Sequence, residues 1–292
     1  MIADFERRLR RKIRAHVRRL GFAVDRHWKL EAGDDSKTAI RILHARQRRD
    51  RLESATKFLD QRLERALPSF ASGCEVEPQK IQPRLEIVQS GTDACDLFRI
   101  ASLTWSVPVS QGYGRRIRFL VWDESNHKVI GIAALGDPVF NLGVRDQFIG
   151  WDAEARSHRL VNLMDAYVLG AVPPYSQILC GEIIASLLRT TDIRDAFSSR
   201  YGNSRGVISG EKKCANLVMI TTTSSLGRSS VYNRVSLAGM RYLEPIGFTG
   251  GYGHFHVDGD LFGDIADSGA GRARFRNHSG RHSEMKPGTI PG

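Results

Sequence analysis

The sequence predicts an α+β protein, with a helical, basic N-terminal part followed by a mixed-sheet α/β domain. Two observations carry this. Apolar residues recur at spacings of three and four across the first 67 residues. From residue 84 the pattern changes to short β-branched runs alternating with helical stretches. The boundaries that follow are a helical part over 1–75, an α/β domain over 76–258 and a disordered tail over 259–292.

In the first helix, expected over 2–20, Ile2, Phe5, Leu9, Ile13, Val17 and Leu20 form one apolar stripe. Gly21 can end it. Arg7, Arg8, Arg10, Arg11, Arg14 and Arg18 fall mostly on the other faces. A second helix is expected from Ser36, an N-cap residue, to Leu67, with Pro68 ending it. Its polar crest holds Arg46, Arg48, Arg49 and Arg51. Prolines at 68, 78 and 83 then make a linker or crossing segment.

Strands are expected over 84–88, 116–123, 128–135, 164–172 and 217–223, with the 116–135 stretch forming a hairpin. Helices are expected over 93–105, 152–162, 181–201 and 231–246, with 137–151 irregular and a last strand or hairpin over 248–257. Phe119, Val121, Ile130, Ile132, Val168, Leu169, Leu187, Leu188, Val218 and Ile220 are the predicted core. Beyond Gly259 the apolar rhythm is lost.

The chain has 292 residues and a formal charge of +11. The charge is uneven: residues 1–70 hold 19 Lys/Arg against 10 Asp/Glu, while the rest is nearly balanced. Arginine-rich asymmetry of this kind points to a polyanion, most simply nucleic acid and DNA first. A solvated helical face would carry the same run. No apolar stretch reaches the ~20 residues of a membrane helix. No secretory signal is visible, and four scattered cysteines read as reduced thiols, so a cytoplasmic protein without a membrane partner is expected. No Walker lysine loop is present, which argues against NTPase activity in this chain.

Several side chains could carry chemistry. Arg228, Ser229, Ser230 and Asn233 lie where a strand gives way to a helix and could bind an anion, although serines there also serve as ordinary caps. Tyr232 follows on the first turn. His254 and His256 share one face if their segment is a strand, which would suit proton transfer or a metal, but no third ligand is identifiable and no metal is expected. Asp137, Asp146, Asp152 and Glu154 crowd one stretch around Trp151; Asp152 could hold a catalytic Mg²⁺ or simply cap a helix. The riskiest expectation gathers Trp151, Asp152, Arg228, Ser229, Tyr232, Asn233, His254 and His256 at one site.

The order of elements is similar to the GNAT acyltransferase fold. That resemblance places Tyr232 where many of those enzymes hold a general acid, and it makes an acyltransferase acting on a nucleobase or protein amine the first alternative function. The matching cofactor loop, PPYSQILCGE over 173–182, has Cys180 where the GNAT pattern has glycine, so no cofactor is expected, with acyl-CoA as the exception. A metal-dependent nuclease is the second alternative. Longer segments are more specific: GIAALGDPVFNLGVRDQFIGWDAEAR (131–156), LMDAYVLGAVPPYS (163–176), TTTSSLGRSSVYNR (221–234) and GYGHFHV (251–257) resemble component A of the Druantia anti-phage defence system, a bacterial family also found beside transposases. This resemblance covers roughly residues 1–257. It implies a role in phage defence alongside other system proteins, including a helicase partner.

Overall fold

A computed structural model describes residues 2–19, 22–24, 30–31, 36–107, 109, 114–205, 210, 212–224, 230–249, 261 and 263–265. In chain order, α1 (Ile2–Arg19) is followed by the short antiparallel pair β1 (Ala23–Val24) and β2 (Leu30–Glu31), then by α2 (Lys37–Ala66). Ser36 caps α2, its hydroxyl accepting from the Ala39 amide. Three short 3₁₀ turns lead from Leu67 to β3 (Pro83–Ile87), and α3 (Asp93–Leu103) comes next.

The central hairpin is β4 (Arg116–Asp123) and β5 (Lys128–Gly136). The short helices α4 (Gly143–Ile149) and α5 (Ala153–Arg159) precede β6 (Leu163–Ala171). Then come α6 (Gly181–Leu187), α7 (Thr191–Tyr201), the pair β7 (Asn203–Arg205) and β8 (Lys212–Cys214), and β9 (Met219–Thr221). After α8 (Ser230–Arg234), β10 (Ser236–Leu237) and β11 (Met240–Arg241) form a small hairpin.

The main sheet runs β3-β4-β5-β6-β9. Its first three pairings are antiparallel, and β6 with β9 is parallel over only three residue pairs. The sheet is mixed and the fold is α+β, as the sequence predicts. β5 is buried from Val129 to Gly136. One face of the sheet, carrying Ile117, Phe119, Val121 and Ile130, packs with Ile184, Leu188, Ile193 and Phe197 of the α6–α7 segment. The other, carrying Leu120, Val129, Ile132 and Val168, packs with Leu97, Phe98 and Ala101 of α3 and with Phe58, Leu63 and Ala66 of α2. The backbones of β5 and β6 approach so closely that a Cβ on Gly131 would clash with the Gly170 carbonyl oxygen.

Most expected strands stand within a residue of their predicted limits, and the differences have local causes. The helix expected over 231–246 stops at Arg234. Ala238 and Gly239 both take positive φ (50° and 76°), the pair of angles a tight two-residue hairpin turn needs. The helix expected over 181–201 is two, because Thr190 leaves helical backbone geometry (φ −74°, ψ 160°) and opens α7. Part of the stretch expected to be irregular is α4, ended by Gly150 in left-handed conformation. Val218 is 72% exposed, against the expectation of burial: the strand begins one residue later, at Met219. Leu187 and Ile220 are half-buried, and the other predicted core residues are buried.

Of the tail expected from 259, the described residues 261 and 263–265 are helical; Leu261 is buried and Asp264 pairs with Lys12 of α1. The rest of that tail, and residues 250–257, lie outside the described residues. Among the described residues no helix is long and apolar enough to cross a membrane.

The β4–β5 turn is tied to two distant segments by one carboxylate. Asp123 is fully buried and accepts from the Gln82 amide (3.0 Å), the Ser125 hydroxyl (2.7 Å), the Ser125 amide (3.0 Å) and the Tyr175 hydroxyl (2.9 Å). Asn126 donates to the Glu75 carbonyl and the Tyr175 hydroxyl, which extends the network. Burial alone would raise the Asp123 carboxyl; the four donors outweigh it and hold the group below the usual aspartate value. A depressed folded value contributes stability that is present above the unfolded value of about 3.9 and is lost as pH falls through the folded one. Asp123→Asn is expected to cost roughly 2–3 kcal/mol in urea denaturation at pH 7. The gap from the native protein should narrow below about pH 4.

Candidate nucleic-acid interface

Arg7, Arg8, Arg10, Arg11 and Arg18 are exposed on α1, and Arg46 and Arg49 are exposed on α2. None of these seven makes an ion pair among the described residues. Arg14, Arg48 and Arg51 are half-buried, and burial pushes the Arg51 guanidinium below its ordinary value. On the apolar side of α1, Phe5, Leu9, Ile13 and Val17 are half-buried. His16 is buried and receives a bond from Arg19, and the chain just beyond the helix folds back, the Phe22 amide donating to the Val17 carbonyl.

Arg51 also belongs to a feature the sequence reading missed. A cavity of about 650 Å³ lies between α2, α3 and the α3-side face of the sheet. Arg51, Arg99, Arg116, Arg118 and Arg200 line it, and among the described residues no Asp or Glu does. Val88, Phe98, Leu103 and Tyr167 give it apolar wall, and Ser54, Gln89, Ser90 and Ser102 add polar groups. Several guanidiniums lie over rings: Arg99 over Phe58 at 3.9 Å, Arg116 over Tyr167 at 4.2 Å and Arg118 over Phe98 at 5.5 Å. Arg118 also donates to the Cys95 sulfur at 3.7 Å. A signal was present in β4, where Arg116 and Arg118 alternate with Ile117 and Phe119 and so must share one face. That face is apolar only from Leu120 onward, under α3.

A family model described as Druantia protein DruA matches residues 34–273. The chain belongs to this family. Druantia protein DruA from Escherichia coli (strain UMEA 4076-1) is 57% identical over 262 residues, covering 90% of this chain. The chain spans 65% of that relative's length. No solved structure matches. The stretch matched by the DruA model contains every residue lining the arginine cavity and leaves α1 outside.

Of the other candidates of this DruA-family chain, Trp151, Asp152, Tyr232 and Asn233 are among the described residues. Asp152 is exposed and caps α5, its carboxylate accepting from the Ala155 amide at 2.7 Å. Trp151 is half-buried beside it, its amide bonded to the Asp146 carbonyl. The neighbouring carboxylates are taken by arginines. Asp137 pairs with Arg115 (2.6 Å), and Asp146 pairs with Arg145 (2.6 Å) and Arg156 (3.0 Å). No group of three or more His, Cys, Asp or Glu able to hold a metal occurs among the described residues.

Tyr232 sits where β6 and β9 diverge beyond Asp165 and Thr221. Its hydroxyl donates to the Leu169 carbonyl (3.3 Å), and Thr222 donates to the Ala166 carbonyl (3.0 Å), so side chains of the same chain fill that wedge. Burial raises the Tyr232 hydroxyl above its ordinary value. Asn233 is exposed one residue on. In the loop after β6 the amides of Ser176, Gln177, Cys180 and Glu182 all donate within the chain. Cys180 is buried there, its thiol pushed up to about 11 by burial. Arg228, Ser229, His254 and His256, with the side chain of Ser230, lie outside the described residues.

Arg145 is fully buried and satisfied by Asp146 and by the Val139 and Phe140 carbonyls, at 2.6 and 3.0 Å. Truncating it leaves Asp146 half-compensated and two carbonyls open. Arg145→Met should therefore cost roughly 3–5 kcal/mol in urea denaturation.

Proposed function

We propose that this chain is a nucleic-acid-binding component of an anti-phage defence system, acting beside a helicase partner and without NTPase activity of its own. DruA membership supports the defence setting. The sequence carries no Walker lysine loop, which supports the reading without NTPase activity in this chain.

The observation that carries the binding reading is that the seven exposed arginines named above on α1 and α2 make no ion pair among the described residues. Elsewhere this protein matches arginine with carboxylate: Arg62 with Asp96, Arg65 with Asp93, Arg84 with Glu124, Arg115 with Asp137 and Arg145 with Asp146. Arginines left unmatched along two helices offer planar forks to phosphates without first breaking an internal pair. Duplex DNA is the ligand to test first, since each phosphate contact releases condensed counterions and is read from the salt dependence.

Fluorescence anisotropy with a labelled duplex, measured across a salt series, tests this. Log affinity should fall by about 0.9 per log unit of salt for each phosphate neutralised. Arg7→Gln/Arg8→Gln/Arg10→Gln/Arg11→Gln keeps helix propensity and should flatten the slope by up to about 3–4 while leaving the circular dichroism spectrum unchanged. Binding that ignores salt, or a slope that survives the quadruple variant, would remove the proposal.

A further inference from the structure

We infer that the cavity between α2, α3 and the sheet is a binding site for the phosphate groups of a nucleotide. Its five arginines come from four elements, α2, α3, β4 and α7, so no single amphipathic pattern explains their meeting. Like charges brought together under partial burial repel one another unless anions join them. Among the described lining residues no Asp or Glu stands with Arg51, Arg99, Arg118 and Arg200.

The guanidiniums are also held in place. Arg116 and Arg118 rise from adjacent same-face positions of a rigid central strand, and the rings of Tyr167 and Phe98 sit beneath them. A guanidinium resting on an aromatic ring loses less side-chain freedom on binding, and its fork matches a phosphate in bidentate fashion. Five such groups exceed what a monocarboxylate requires and suit several phosphates or a phosphodiester run.

The remaining lining fits the rest of a nucleotide. A volume of about 650 Å³ lies within the range of small-molecule sites. Val88 and Leu103 supply apolar wall for a base, and the Ser54, Ser90 and Ser102 hydroxyls suit a sugar. The phosphates could come from a free nucleotide or from a single strand threading the cavity; the arginine chemistry is the same for both.

Isothermal titration of the full chain with AMP, ADP, ATP, adenosine, inorganic phosphate and the oligonucleotide dT10 tests the site. Adenine nucleotides should bind at millimolar or tighter affinity, more tightly with each added phosphate, and adenosine should not bind. Arg118→Gln should weaken binding at least tenfold with little change in thermal midpoint. Should that variant not fold, Ser102→Trp, which fills the cavity from α3, and Arg200→Gln carry the same test. A dT10 affinity above that of the mononucleotides, competed by ADP, assigns a strand; the reverse order assigns a free nucleotide. Equal binding of adenosine and ATP, no heat with any phosphorylated ligand, or undiminished affinity in all folded variants would overturn the site. The α1 quadruple variant should bind ADP normally, so loss of the duplex reading and loss of this site are separable.

Discussion

β5 is buried from Val129 to Gly136, so residues of both parities along it must meet apolar cover. Neighbouring strands cannot supply that cover, because they lie in the plane of the sheet. It comes from helices on both faces: α6 and α7 on one, α3 and the end of α2 on the other. The rest of the architecture follows. The chain must carry helices before and after the hairpin, and the connection into β9 must cross a face, which makes the β6–β9 pair parallel. Where the helical layer on the α2–α3 face runs out, β4 changes from Leu120 to Arg118 and Arg116, and the arginine cavity begins.

The protein thus uses arginine in two opposite ways. Arg145 and Arg156 lie against Asp146 and the Val139 and Phe140 carbonyls and tie α4, α5 and the loop before them together, while Arg115 ties Asp137 and the Val161 and Leu163 carbonyls to the start of β4. These pairs fix shape, since removing one partner would leave a charge buried without its counter-charge. Arg7, Arg8, Arg10, Arg11 and Arg18 of α1 and Arg46 and Arg49 of α2 make no ion pair among the described residues, and no Asp or Glu is among the described residues that line the cavity.

Much of the fold was legible because β4, β5 and β6 combine β-branched residues with sharp turn signals. RIRFLVWD and KVIGIAAL flank Glu124-Ser125-Asn126-His127, and no other reading accommodates both strands. The 231–246 stretch was misread because its apolar spacing suits a helix, while the Ala238–Gly239 turn that reverses it is a two-residue signal. The candidate site was less legible for a different reason. Sequence windows reveal arginines that are neighbours along one helix, as on α1. They do not reveal that Arg51 meets Arg99, Arg116 and Arg200, which only the packing of α2 and α3 onto β4 brings together. Asp152, whose neighbours in sequence suggested chemistry, turned out to cap a helix, because an Asp just before a helix has backbone amides within reach.

α2 joins the two arginine surfaces. Its last turns are anchored by Phe58, Leu63 and Ala66 in the core below, with Arg62–Asp96 and Arg65–Asp93 at the surface. Exposed pairs such as Arg65–Asp93 contribute little, about 0–1 kcal/mol, so the apolar contacts set the docking of the helix. Arg51, Ser54 and Ala55 stand just before that anchor and form one wall of the cavity, while Arg46 and Arg49 lie one turn earlier and face solvent. An anion drawn to Arg51 and Arg118 together would bridge α2 to the sheet and add to the apolar docking. The same helix would then present its exposed arginines in a fixed direction relative to the cavity. A continuous basic track from the first half of α2 into the cavity requires no movement of the core, because the residues that anchor α2 and those that line the track occupy different turns of one helix.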